Sequence, residues 1–310
     1  MATMDAPHNA ALPTSGQTSA PSLGRLLRDY FILTKPSIIL LLLITTVPAM
    51  VLADEGWPGW GPVLATLFGG ILSAGGAGAV NMYIDRDIDG IMARTRKRPI
   101  PSGRVPARHA LIFGLTLGFA SGPWLWLTVN FASAVLAVAA FLFYVGPYSL
   151  YLKRRTVHNT VIGGVAGAIP PLIGWAAVSN SITLEGLLLF AIVFFWQPPH
   201  FWALAIRLEK DYRSAGIPMM PVVLGLKETR RQTVLYAVAT VMVTLIFGAV
   251  AALGPLYFAV AIASGLGFVG ASIVMYRGQG LEGTAPMFRY STLYLAVLFL
   301  AMVADSLILE

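Results

Sequence analysis

Asn81, Asp85 and Asp89 stand at i, i+4 and i+8 in the run NMYIDRDIDGIMARTRKRPIPSG, residues 81–103. At about 100° per residue they share one sector of about 80° on a helix, while Asp87 points to the opposite side. Oxygen-bearing side chains on one face suit a hard cation such as Mg²⁺, which prefers oxygen ligands and keeps several waters. The next turn and loop supply Arg94, Arg96, Lys97, Arg98 and Arg104, and guanidinium groups suit phosphate oxygens. A carboxylate-held Mg²⁺ beside guanidinium groups is equipment for handling a diphosphate. A solvated helix end could carry the same acids, but these close a long apolar run, where carboxylates oppose the helix dipole. A bound divalent cation offsets that repulsion. Asn81, Asp85 and Asp89 are therefore read as catalytic and metal-holding, with Asp87 open between site and surface. Arg94, Lys97 and Arg98 are read as substrate-binding, and Arg96, Arg104 and Arg108 as lipid or orientation charges.

A second stretch with chemistry is WQPPHFWALAIRLEKDYRSAGIPMMP, residues 196–221. Pro198 and Pro199 are expected to interrupt or kink their helix and free backbone groups at membrane depth. His200 follows, between Trp196 and Trp202. A lone histidine is ordinarily a packing residue, but one inside a span beside such a break reads as functional. It could ligate a metal, contact a flat aromatic or move a proton. His200 lies some 15 Å from the charged end of its helix, too far to join the diphosphate site directly. Arg207, Lys210, Asp211 and Arg213 sit at that end, placed to complete the cation and diphosphate site or to form an interfacial salt-bridge cluster. Tyr144, Tyr148 and Tyr151 with Lys153 to Arg155 read mainly as interface anchoring.

The chain that must position these residues is 57% hydrophobic and 11% charged over 310 residues. That charge fraction is under half of the ~25% usual in soluble domains, and the mean hydropathy is +0.74. Apolar runs recur at 36–54, 62–84, 108–128, 131–151, 157–179, 184–206, 232–253, 256–276 and 288–308. They are long and unalternating, so they predict an all-α integral membrane protein of about nine transmembrane helices. Connections alternate in character. One set is short and free of Lys and Arg; the other, with the N-terminal stretch, holds all 21 basic residues. The positive-inside rule places that set and the N-terminus in the cytoplasm and the C-terminus outside. Trp57, Trp60, Trp124 and Trp126 fall near the other interface. Residues 1–24, rich in Ala, Ser, Thr and Pro, are expected to be a disordered tail rather than a secretory signal, and 25–310 a single domain. With no cysteine, disulfides and thiolate sites are excluded. The net charge of +7 is sorted by topology, so no nucleic-acid partner is expected.

These motifs resemble the UbiA superfamily of intramembrane prenyltransferases, and within it the branch that acts on haem. The matching segments are NMYIDRDIDGIMARTRKRP (81–99), GAIPPLIGW (167–175) and PPHFWALAIRLEKDYRSAGIPMMPVVLG (198–225). With the nine-span layout, the resemblance extends over about 25–308. It implies a helical bundle whose central cavity opens towards the membrane and is capped by two cytoplasmic loops. It also implies Mg²⁺-dependent transfer of the farnesyl group of farnesyl diphosphate to a vinyl group of haem B, with addition of water, giving haem O. Haem B would then be substrate rather than cofactor. Carried over, Asn81, Asp85 and Asp89 form the first aspartate-rich motif, Arg94 and Arg98 meet the diphosphate or haem carboxylates, and His200 lies near the haem. The resemblance further implies a bacterial inner membrane, and a haem A synthase or terminal oxidase as candidate recipient of the product. Quinone-type members carry a second Asp-x3-Asp after span six, whereas this chain has Arg207-Leu-Glu-Lys-Asp211-Tyr212. That departure argues against a quinone, chlorophyll or lipid acceptor and leaves any second Mg²⁺ without assigned ligands. A secondary transporter is disfavoured because acids and bases gather at one interface rather than the midplane.

Overall fold

The computed structural model describes residues 22–308, apart from the side chains at 38 and 40–43. The tail expected over 1–24 lies outside the described residues except for its last three, of which Leu23 and Gly24 already belong to a helix. The elements are α1 (Leu23–Leu33), α2 (Pro36–Asp54), α3 (Trp60–Ile84), α4 (Arg86–Ile91), α5 (Ala107–Thr128) and α6 (Phe131–Phe143). α6 runs on as a π-helix (Tyr144–Leu152) and ends in the single turn α7 (Lys153–Arg155). Then follow α8 (Asn159–Ser179), α9 (Leu184–Arg207), α10 (Glu209–Ser214), α11 (Met220–Val223), α12 (Gly225–Val250), α13 (Pro255–Arg277) and α14 (Thr284–Ile308). Among the described residues there is no strand, and eight helices are long and apolar enough to cross a membrane, with α6 to α7 counted as one. The remaining expected span, 36–54, is present as the 19-residue α2.

Neighbouring helices pack in a closed circuit. α3 lies along α5, α5 along α6, α6 along α8 and α8 along α9; α9 meets α12, α12 meets α13 and α13 meets α14, which returns to α9 and α2. α2 also lies along α8. α3 and α5 approach one another closely. A Cβ on Gly76 would stand 2.5 Å from the Gly118 backbone nitrogen and 2.6 Å from the Gly114 carbonyl. Small residues spaced four apart let two backbones touch where lipid offers no hydrophobic incentive to associate. This contact fixes the helix whose end carries Asn81.

Three expectations are corrected here. α9 is not interrupted at Pro198 and Pro199, which lie inside one continuous helix. Each proline removes only its own N–H, which in an α-helix would have met Phe194 O or Phe195 O, and the nearby Gln197 side chain ties the segment to α8 by donating to Gly164 O (2.8 Å). α12 starts at Gly225 rather than 232, because the charged stretch KETRRQ consists largely of good helix formers and Glu228 pairs with Arg231 one turn on. Arg104 is not a loose lipid contact: its Nε donates to both oxygens of the buried Asp29 (2.9 and 3.1 Å), fastening the first long loop to α1. The two long loops also meet, through Ile88 and Met92 of the first and Ala205, Ile217 and Met219 of α9 and the second.

Candidate active site

α3 ends at Ile84, yet its hydrogen-bond register carries across the break. Asp85 N donates to Asn81 O (2.9 Å) and Asp89 N to Asp85 O (2.8 Å), so the three side chains keep the common face that their spacing predicts. Both carboxylates are fully buried. Each has one oxygen engaged by a cation and one left over. Asp85 Oδ2 accepts from Lys153 Nζ, and Asp89 Oδ2 accepts from Arg98 (2.7 Å). Asp85 Oδ1 and Asp89 Oδ1 are buried without a hydrogen-bond partner. Such orphaned anionic oxygens are costly unless a ligand meets them. Asn81 stands beside them. Its Oδ1 accepts from Lys35 Nζ (2.6 Å), and its Nδ2 donates to Ser149 Oγ (3.0 Å).

Lys35 reaches this position from a left-handed turn (φ 56°) between α1 and α2. Burial, reinforced by Arg98 and Lys153, lowers its ammonium to about 7. Ser149 comes from the π-helical end of α6, where its Oγ donates to Tyr144 O (2.7 Å), and Lys153 from α7, which follows directly. A π-helix shifts the phase of its side chains relative to an α-helix and is frequent at functional sites. The only local hint of it in the sequence is Pro147. Lys153 and Arg154, read from sequence mainly as interface anchors, are thus the partners of Asp85 and Asp87. Arg154 NH1 and NH2 donate to Asp87 Oδ2 and Oδ1 (both 2.7 Å), and NH2 also donates to Ile84 O (2.9 Å). That hydrogen bonding holds the Asp87 carboxyl down at about 2.

The remaining predicted residues divide. Arg98 joins the cluster through Asp89. Arg94 bridges the two loops: its NH2 donates to Tyr212 OH (3.3 Å) and its guanidinium lies 5.3 Å from that ring's centre. Tyr212, missed from sequence, is what the second loop brings to the first. Lys97, Arg207 and Lys210 are exposed and Asp211 half-buried, and among the described residues their side chains take no hydrogen bond or ion pair. Arg213 pairs with Glu209 on its own helix. His200 joins none of the cluster's ion pairs or hydrogen bonds. Its ring is stacked between Trp196 (4.6 Å) and Phe288 (4.4 Å), and Nδ1 lies 2.7 Å from Ser291 Oγ. Ser291 spends its hydroxyl hydrogen on Phe288 O (2.7 Å), so it accepts from Nδ1 and the His200 Nε2 lone pair stays free.

Two bare carboxylate oxygens and an amide fit Mg²⁺ in kind, all hard oxygen donors. Among the described residues no three His, Cys, Asp or Glu side chains gather to enclose an ion. These side chains alone would supply only part of a coordination sphere.

The model of the UbiA prenyltransferase family matches residues 42–303. Protoheme IX farnesyltransferase of Roseiflexus castenholzii is 49% identical over 304 residues, covering 97% of this chain and 57% of that protein. The Mycolicibacterium smegmatis protein of the same name is 48% identical over 280 residues, covering 89% of this chain and 90% of that one. The chain spans about half the length of several relatives it matches, such as the 46% covered in Thermus thermophilus. Among solved structures, one described as digeranylgeranylglyceryl phosphate synthase superposes with a TM-score of 0.74 at 18% identity, over 90% of this chain and 98% of that one. A UbiA homolog from Archaeoglobus fulgidus bound to GPP and Mg²⁺ gives 0.63 at 17%, over 88% and 99%.

Proposed function

Because this chain belongs to the UbiA prenyltransferase family, we propose that it transfers the farnesyl group of farnesyl diphosphate to a vinyl group of haem B, with hydration, to give haem O. It is a multi-pass membrane protein. Its basic loops and N-terminus face the cytoplasm in this reading, in a bacterial inner membrane, with residues 25–310 acting as one domain. The observation that carries the chemistry is the pair of unpartnered, buried oxygens on Asp85 and Asp89, set among Lys35, Arg98 and Lys153. The relatives named protoheme IX farnesyltransferase support the acceptor.

Asn81, Asp85 and Asp89 would hold Mg²⁺, which supplies charge neutralisation on the diphosphate when bound. Lys153 and Arg98, already at the carboxylates, are placed to turn their remaining N–H groups towards the leaving oxygens. Arg94, with Tyr212, closes the loops over that end. The bond from farnesyl C1 to the diphosphate oxygen breaks with its electron pair going to oxygen. The terminal vinyl carbon of the porphyrin then bonds to C1. Positive charge passes to the vinyl carbon next to the ring, where a water adds and loses a proton. Lys97, Arg207 and Lys210 are left for the haem carboxylates at the mouth, Asp211 is left for a cation on the diphosphate side, and the free Nε2 is the one polar edge His200 offers the haem.

The deciding experiment incubates the purified protein in detergent with haem B, farnesyl diphosphate and Mg²⁺, with an EDTA control, and reads the porphyrins by mass spectrometry. A Mg²⁺-dependent product heavier by one farnesyl group plus water is expected. Prenylation of a quinone precursor but not of haem would move the chain to another branch, and no product with any acceptor would refute the proposal.

A further inference from the structure

Asp87 is the acid in the motif that points away from the other two, and both its oxygens are spent on one residue. Arg154 NH2 has two hydrogens. One goes to Ile84 O (2.9 Å) and the other to Asp87 Oδ1 (2.7 Å). The same nitrogen stands 4.0 Å from Asp85 Oδ1, the oxygen left bare on a buried carboxylate. A guanidinium so close to an orphaned anionic oxygen has a strong incentive to close the gap. What prevents it is that no hydrogen on that nitrogen is left to give. Asp87 is more than half exposed, so its pair with Arg154 adds little to stability by itself. Its value lies in where it holds the arginine.

We propose that Asp87 is a positioning residue that keeps Arg154 off Asp85 Oδ1 and so preserves that oxygen for the metal. This rests on the reading of Asp85 as a metal ligand. Removing both Asp87 oxygens frees that Arg154 NH2 hydrogen, which turns onto Asp85 Oδ1 and competes with the cation. A charge-assisted hydrogen bond of that kind is worth roughly 10-fold to 100-fold in an equilibrium constant.

A second substitution should repair the first. Equilibrium dialysis in detergent at fixed inorganic diphosphate would measure Mn²⁺ bound to the wild type, Asp87→Ala, Arg154→Gln, Asp87→Ala/Arg154→Gln and Asp85→Asn, with the metal counted by elemental analysis. Asp87→Ala should bind Mn²⁺ at least about tenfold more weakly. The double variant should return to within about threefold of wild type, since the competing arginine is gone. If the pair merely braced α4, the double variant would bind no better than Asp87→Ala, and that result overturns the proposal. Wild-type affinity in Asp87→Ala overturns it too. Mn²⁺ binding that Asp85→Asn leaves intact, or none in the wild type, would instead remove the underlying metal assignment.

Discussion

Asp85→Asn separates what the carboxylate does for the metal from what it does for its neighbours. Asparagine keeps the size and one acceptor oxygen, but it removes the charge and can set an N–H₂ against Lys153 Nζ, donor facing donor. Lys153 is 15% exposed, so it loses its counterion in a mostly dry setting. The stability cost should be about 1–3 kcal/mol, the usual range for orphaning a buried polar group. The effect on turnover has another origin. One electrostatic stabiliser removed from a preorganised site typically costs about 10²–10³ in rate, and Asn81 and Asp89 remain to hold the cation weakly. Farnesyl transfer to haem B should therefore fall by about that factor at low Mg²⁺ and recover partly as Mg²⁺ is raised. Single-turnover product formation, followed by mass spectrometry across a Mg²⁺ series, reads this directly. Asp85→Asn/Lys153→Met supplies the control, because it relieves the orphaned ammonium without restoring the oxygen. If that double variant regained activity along with thermal stability, Asp85 would be no more than a counterion. Activity within threefold of wild type at limiting Mg²⁺ would refute the metal assignment.

Other outcomes follow from the same geometry. Tyr212→Phe loses only a long hydrogen bond and keeps the ring against Arg94, so the KM for farnesyl diphosphate should rise less than about threefold; Arg94→Ala loses both and should raise it about tenfold, in steady-state kinetics. His200→Ala should shift the absorption spectrum of bound haem by removing the free Nε2, and an unchanged spectrum with full activity would leave His200 a packing residue between Trp196 and Phe288. Gly76→Ala drives a methyl into the α5 backbone and should cost about 1–3 kcal/mol by overpacking, seen as a lower unfolding temperature in detergent.

The helices were legible because bilayer thickness sets their length and the loops sort their own charge. Asn81, Asp85 and Asp89 were legible because one helical register relates them. Their partners were not. Lys153 lies 68 residues from Asp85, and a lysine after tyrosines at a span end is equally what an interface anchor looks like. Lys35 enters through a left-handed turn that nothing around it in sequence requires. Tyr212 carries no charge and stands beside Lys210 and Asp211, so its spacing does not mark it as the residue that meets Arg94. Pro198 and Pro199 misled for a different reason: proline reports a lost N–H, while neighbouring helices decide whether the helix survives it.

The π-helical end of α6 also carries a consequence for how such a site is inherited. An α-helix advances about 100° per residue and a π-helix, with its i→i+5 bonds, somewhat less, so deleting one residue between Tyr144 and Leu152 without a change of winding would swing everything beyond it by nearly that angle. Lys153 and Arg154 would leave Asp85 and Asp87 together, while the part of α6 packed against α5 stayed in place. The unit of variation here is therefore an insertion or deletion rather than a substitution. Two chains identical at every charged position could differ in activity through one gap in their alignment.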